Sequence, residues 1–175
     1  MRSIEPIAKF DLAFSLFCLR HKFSHPVSRL SKLVSHTGDG HLYALFGLLA
    51  FLFDGVAGRS FLAVGLFAFV IELPIYWLAK NHFRRRRPQE LSDLVTSFIT
   101  PSDRYSLPSG HTAAAFLMAT ISSYFYPDLQ VFVFVWAAMI ASSRILLGVH
   151  FLTDVLIGML LGIGSAQLAI VIVGS

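Results

Sequence analysis

Four almost unbroken apolar stretches, residues 41–57, 60–79, 129–147 and 153–173, run through this 175-residue chain. Each approaches or reaches the roughly 20 residues a membrane-spanning helix needs. A fifth, 112–126, is shorter and is completed by the Pro108-Ser109-Gly110-His111 segment ahead of it. Composition agrees: the chain is 14% charged and 55% hydrophobic, whereas about a quarter of the residues of a soluble domain are charged. The spacing predicts an all-α fold, a polytopic membrane helix bundle with about five transmembrane helices.

Residues 7–19 are also apolar, but Lys9 and Asp11 interrupt the run and Arg20, His21 and Lys22 close it. Phe10, Phe14, Phe17 and Cys18 recur on one helical face, the pattern of a helix lying in the membrane interface rather than crossing it. No small-residue cleavage site follows, so a signal peptide is not expected. We therefore read a single domain, with residues 1–38 as an N-terminal interfacial segment and 39–175 as a transmembrane core. The lone Cys18 can form no intrachain disulfide and reads as a small buried hydrophobe. A net charge of +4 suits an anionic membrane surface or an anionic substrate.

Five spans would put the first loop, the Tyr126-Pro127-Asp128 turn and the C-terminus on one face. The N-terminal segment, the 80–111 loop and the 148–152 connection would share the other. That second face collects all seven histidines and nearly all the lysines and arginines, Arg59 excepted. The 80–111 loop is too long for a simple connection. Within it, Pro88-Gln89-Glu90 followed by Leu91, Leu94, Val95, Phe98 and Ile99 predicts a short amphipathic lid helix that Pro101 ends.

Three segments of this face carry the residues of chemical interest: Lys80 to Arg87-Pro88, Pro108-Ser109-Gly110-His111, and Ser143-Arg144 with His150 and Asp154 following. Together they resemble, position for position, the three-part signature of the type-2 phosphatidic acid phosphatase superfamily, whose soluble relatives include the vanadium haloperoxidases. The likeness covers residues 80–154, and the apolar helices around it fit the membrane branch. It implies hydrolysis of a lipid phosphate monoester or diphosphate through a phosphohistidine, on phosphatidylglycerophosphate, phosphatidic acid or undecaprenyl diphosphate.

The residue chemistry fits that implication. His150 and Asp154 are four apart, so a helix running through both would stack them and let the carboxylate orient the imidazole for attack. His111 opens a helix beside Gly110, where backbone amides favour an anion lying against Ser109 and Gly110. From there it can protonate the leaving oxygen and afterwards activate water. Lys80, Arg87 and Arg144 offer positive charge to the phosphate oxygens. The carboxylates are too scattered for a two-metal site, and neither metal nor cofactor is required.

Other polar residues have plainer readings. Arg84, Arg85 and Arg86 fall outside the matched positions and read as a solvated or headgroup-facing run. Asp39, between Gly38 and Gly40, reads as the N-cap of the first span, with a role beside the site as the alternative. His21, His25, His36, His41 and His82 read as interfacial. Glu72 lies two turns inside a span, where a carboxylate is costly and faces either a partner or a cavity. Pro74 after it can kink the helix.

The expected partners are a lipid phosphate substrate and the bilayer, with neither nucleic acid nor an obligate protein partner. A non-catalytic membrane protein that binds or carries lipid phosphates is the alternative, although such a protein would be expected to lose one of the two histidines. A haloperoxidase shares the anion site but not the membrane composition. The basic excess on the histidine face would place it in the cytoplasm by the positive-inside rule. The resemblance implies the periplasmic side of a bacterial inner membrane, and because several of those cations are committed to phosphate, that is the expected orientation.

Overall fold

The computed structural model describes residues 5–20, 24–101 and 103–174, with the side chains of residues 5, 24 and 25 excepted. Among these residues there are helices and no strands. Helix α1 (Glu5–Leu19) and α2 (Ser24–His36) precede α3 (His41–Phe53) and the long α4 (Gly55–Phe83). A single turn, α5 (Pro88–Leu91), interrupts the following loop. Then come α6 (Gly110–Phe125), a 3-10 turn (Pro127–Leu129), α7 (Gln130–Leu146) and α8 (Leu152–Val173).

Helix α6 is the axis of the bundle. It packs against α8, α7 and α4, while α3 pairs with α4 and α2 lies along α7. Ten of its sixteen residues are buried, which explains a helix whose sequence is rich in Ala, Ser and Thr: its neighbours, not lipid, are its surroundings. Small residues let α8 approach. A Cβ on Gly158 would lie 2.6 Å from the Ser109 carbonyl oxygen, and one on Gly162 2.1 Å from that of Ala113. Close backbone contact of this kind is a recurrent way of packing helices in membranes. Farther along the bundle, Phe46, Phe61, Phe125 and Tyr126 meet edge to face or tilted, at centroid separations of 5.2 to 5.8 Å.

The first two spans meet at Asp54-Gly55 rather than near Ala57. Asp54 ends α3 and begins α4, and Gly55 supplies the positive φ (+55°) of the reversal. Helix α4 then continues through Pro74 and past Lys80 to Phe83, where Arg84 turns left-handed (φ 46°). Tyr126 donates a 2.8 Å hydrogen bond to Asp54, so the α3–α4 turn and the end of α6 share one end of the bundle, as expected.

Among the described residues, three segments, Gly55–Leu91, Pro127–Leu146 and Leu152–Val173, are long and apolar enough to cross a membrane. Helices α3 and α6, at 13 and 16 residues, fall short of the expected length for two of the five spans. The outer surface is nonetheless apolar: Leu48, Val56, Leu66, Val70, Trp77, Val131, Phe132, Leu160 and Val171 are all exposed. A surface of that kind belongs in lipid.

The predicted lid helix is a correction. Only Pro88–Leu91 is helical, and Ser92 is extended. The Ser92 hydroxyl accepts the Leu94 amide and its carbonyl accepts that of Val95, a local alternative to helix that serine offers readily. The Phe98 amide donates to the Leu147 carbonyl, tying the loop to the α7–α8 connection. Gly148, at φ +73°, permits this: a Cβ there would sit 2.5 Å from the Thr96 carbonyl oxygen.

The apolar face read on α1 is divided. Phe10 and Phe17 are exposed, whereas Phe14 and Cys18 pack against the cluster around Phe116 and Ala137. The buried face is Asp11, Ser15 and Leu19, which brings a carboxylate into the bundle.

Candidate functional site

The signature segments come together at one end of the bundle, where α4 finishes, α6 begins, α7 finishes and α8 begins. A cavity of about 220 Å³ is lined there by Glu72, Tyr76, Arg87, Asp103, Gly110, His111, Arg144 and His150, with Phe69, Leu73 and Ala114 as its apolar wall. A second hollow, about 350 Å³, lies beside it and shares His111 and Arg144. Lys32, Ser35, His36 and Asp39 line that second hollow.

His150 is 3% exposed and lies before α8 rather than within a helix continuous with Asp154. The expected stacking is thereby corrected. Gly148 turns the chain out of α7, and Asp154 is instead the third residue of α8, where its Oδ2 accepts the Phe151 amide at 2.8 Å. This is a carboxylate at a helix N-terminus satisfying a free backbone donor. The same oxygen stands 3.7 Å from His150 Nδ1, an electrostatic contact longer than a hydrogen bond. Burial pushes the His150 imidazole down to about 4; Asp154 opposes the shift, and Arg144 and Arg87 add to it. The ring is therefore neutral at pH 7, with an unshared pair on one nitrogen.

His111 occupies the first turn of α6, as expected. Its Nε2 donates to Asp39 Oδ1 at 2.8 Å, and His36 Nδ1 meets the other oxygen of Asp39 at 2.6 Å. Although burial pushes the Asp39 carboxyl up, these two hydrogen bonds hold it below the usual range. Asp39 is thus not the N-cap of α3. Gly40 takes that position in a left-handed conformation, with no side-chain cap, and the Asp39 carboxylate is free to reach across to α6.

The cations differ in how fully they are engaged. Arg87, 2% exposed, donates to the Val149 carbonyl at 2.6 Å, to the Asp103 and Tyr105 carbonyls at 3.1 Å each, and to the Asp103 carboxylate. Lys80 does not line the cavity. It stands behind Tyr76, donating to the tyrosine hydroxyl at 2.6 Å and pairing with Asp103. Arg144 binds the Ser35 hydroxyl through Nη1 and keeps a buried Nε with no partner, so it has donor capacity to spare. Gly110 lines the cavity against the Tyr76 ring, 3.0 Å from where a Cβ would be. Ser109 does not face the cavity. Its hydroxyl pairs with Thr112 at 2.9 Å and its amide donates to the Asp154 carbonyl at 3.1 Å, so it fixes α6 to α8.

Three residues were missed. Arg85 is no solvated charge: it donates to Asp154 Oδ1 at 2.7 Å and to Asp11 Oδ2 at 2.6 Å, with its guanidinium 4.4 Å from the Phe151 ring centroid. Arg84 and Arg86 are exposed as expected. The sequence did hold a signal for Asp11, because a carboxylate inside an apolar run needs a partner. Asp103, which bridges Lys80, Arg87 and Tyr76, has no motif to announce it. Among the plain histidines, His36 joins Asp39, while His41 and His82 are exposed. His21 and the side chain of His25 lie outside the described residues. Among the described residues, no group of three His, Cys, Asp or Glu side chains is placed to hold a metal ion.

A helical membrane protein with two histidines and a set of buried cations at one end defines a class. Its sequence matches the PAP2 superfamily over residues 56–175, and the chain belongs to that family. It is 40% identical over 133 residues to the decaprenylphosphoryl-5-phosphoribose phosphatase of Mycolicibacterium smegmatis, covering 74% of this chain and 67% of that protein. The enzyme of the same name from Mycobacterium tuberculosis H37Rv is 35% identical over 134 residues, covering 74% and 71%. The crystal structure of Aquifex aeolicus LpxE superposes with a TM-score of 0.77 at 28% identity, covering 92% of this chain and 94% of the other. A Bacillus subtilis phosphatidylglycerolphosphate phosphatase shares the fold, with a TM-score of 0.75 at 22% identity over 96% and 87%.

Proposed function

We propose that the chain hydrolyses a phosphate monoester or diphosphate carried by a lipid, through a phosphohistidine on His150. The observation that supports this most is the meeting of neutral His150, His111, Arg87 and Arg144 around one cavity at the end of a lipid-facing bundle. Asp154 approaches Nδ1 of His150, so Nε2 is the atom that attacks phosphorus. The P–O bond to the lipid breaks, and the departing oxygen takes a proton from His111. Because Asp39 holds Nε2 of that ring, Nδ1 is the donor. The same nitrogen then accepts a proton from water, whose oxygen attacks phosphorus as the N–P bond breaks. Arg144 and Arg87 stabilise the charge on the transferring group, the largest contribution a protein makes to phosphoryl transfer. The reaction so written needs no metal.

The resemblance to decaprenylphosphoryl-5-phosphoribose phosphatases supports a polyprenyl-linked phosphosugar among the candidate substrates, beside phospholipid phosphates. The site is assigned to the periplasmic face of a bacterial inner membrane, with the α1–α2 segment in the interface and five crossings in all. Purified protein in detergent, offered phosphatidylglycerophosphate, phosphatidic acid and prenyl phosphates, should release phosphate from at least one. His150→Ala should reduce turnover by about a thousandfold or more, and His111→Ala should accumulate an acid-labile, base-stable phosphoenzyme. Turnover surviving in His150→Ala would overturn the nucleophile. It would likewise distinguish a carrier, which is indifferent to that change.

A further inference from the structure

Glu72 is 2% exposed, lines the cavity, and has a buried Oε1 with no hydrogen-bond partner. No cation of the site reaches that oxygen: Lys80 and Arg87 pair with Asp103, and the unpartnered Nε of Arg144 makes no hydrogen bond to it. It stands one turn deeper on α4 than Tyr76, among Phe69, Leu73 and Ala114. A buried oxygen without a partner costs free energy that none of the described residues returns. Within the cavity it lies on the side of the apolar wall, one turn farther from the end of α4 than Tyr76.

We propose that Glu72 is a specificity-determining residue that hydrogen-bonds a hydroxyl on the polyol joining the terminal phosphate to the lipid. The inference rests on the phosphatase reading above. It names the substrate class as lipids whose phosphate is borne by a hydroxylated spacer, a glycerol or a sugar, rather than lipids phosphorylated directly on the chain-bearing unit. A site built to bind a hydroxyl discriminates strongly against the analogue that lacks it, because its own polar group is then left unpaired.

The test uses full-length protein in detergent and pairs of substrates that differ only in that hydroxyl. One arm compares phosphatidylglycerophosphate with its propane-1,3-diol analogue, and the other compares decaprenylphosphoryl-5-phosphoribose with its deoxyribose counterparts. In the wild type, kcat/KM should favour the hydroxylated member of at least one pair by about tenfold or more. The favoured arm tells glycerol from sugar. Glu72→Leu should erase that preference, and Glu72→Gln, which keeps a hydrogen-bonding group there, should retain most of it. A wild type indifferent to the hydroxyl in both arms would overturn the proposal, as would a preference that survives in Glu72→Leu. Failure of the wild type to release phosphate from any member would instead overturn the phosphatase reading itself, and this proposal with it.

Discussion

Two histidines of this chain are set by different means. Asp39 grips His111 through a short hydrogen bond from a separate helix junction, so removing its charge should act on proton transfer and not on binding. Asp39→Asn should lower kcat by about a hundredfold with little change in KM. A carboxylate bound to the ring favours its protonated form, so without it the alkaline limb of the kcat profile should also move to lower pH. His150 is governed by burial. Its pKa falls from the ordinary 6.5 to about 4, so between those values the unfolded chain takes up a proton that the folded chain refuses. The associated stability is fully present above pH 6.5 and is lost as pH falls toward 4. Thermal unfolding in detergent should therefore show a Tm that falls across this window, and His150→Asn should flatten that part of the dependence. Had the ring been tightly hydrogen-bonded to Asp154, its pKa would have been held up and the slope reduced.

At the scale of elements, the close crossing of α6 and α8 fixes how the start of α6, which carries His111, sits against the start of α8, which follows His150. A methyl group on Gly162 would meet the Ala113 carbonyl oxygen at 2.1 Å, whereas one on Gly164 meets nothing within 4 Å. Gly162→Ala should cost about 1–3 kcal/mol and lower kcat, while Gly164→Ala should leave stability unchanged or slightly improved. Thermal unfolding and phosphate release measured on both variants would check this. The same scale shows what the sequence made legible. Apolar length located α4, α7 and α8, and the motif order located His111, His150, Arg87 and Arg144, because those signals are local. The lid helix was misread because its apolar spacing is helical while the amides of Leu94, Val95 and Phe98 are taken by other partners. Arg85 was misread for the complementary reason: its partners lie 74 and 69 positions away, on Asp11 and Asp154, and a run of four arginines does not reveal which one turns inward. Asp39 looked like a cap because Gly-Asp-Gly ahead of an apolar helix is a capping pattern. Only the tertiary structure shows that its carboxylate crosses to α6.

Considered whole, the molecule has an apolar girdle and two polar ends of unequal chemistry, one holding the histidines and most of the cations, the other the Asp54–Tyr126 contact with the exposed Arg59 and Asp128. That inequality makes orientation measurable. In protein whose Cys18 is replaced by serine, Asp128→Cys should resist a membrane-impermeant thiol reagent in intact cells and react once the membrane is permeabilised. Labelling from outside would reverse the assigned orientation. The histidine end also bears on how the bundle can exist before it meets a substrate. Lys80, Arg87 and Arg144 are crowded at a lipid boundary, where like charges repel with little screening. Asp103 lies among them, bound to two of the three, so the pocket carries its own counter-ion. The cations are thereby held in place before any ligand arrives, and under the proposed function the binding of a phosphate would exchange one anion for another.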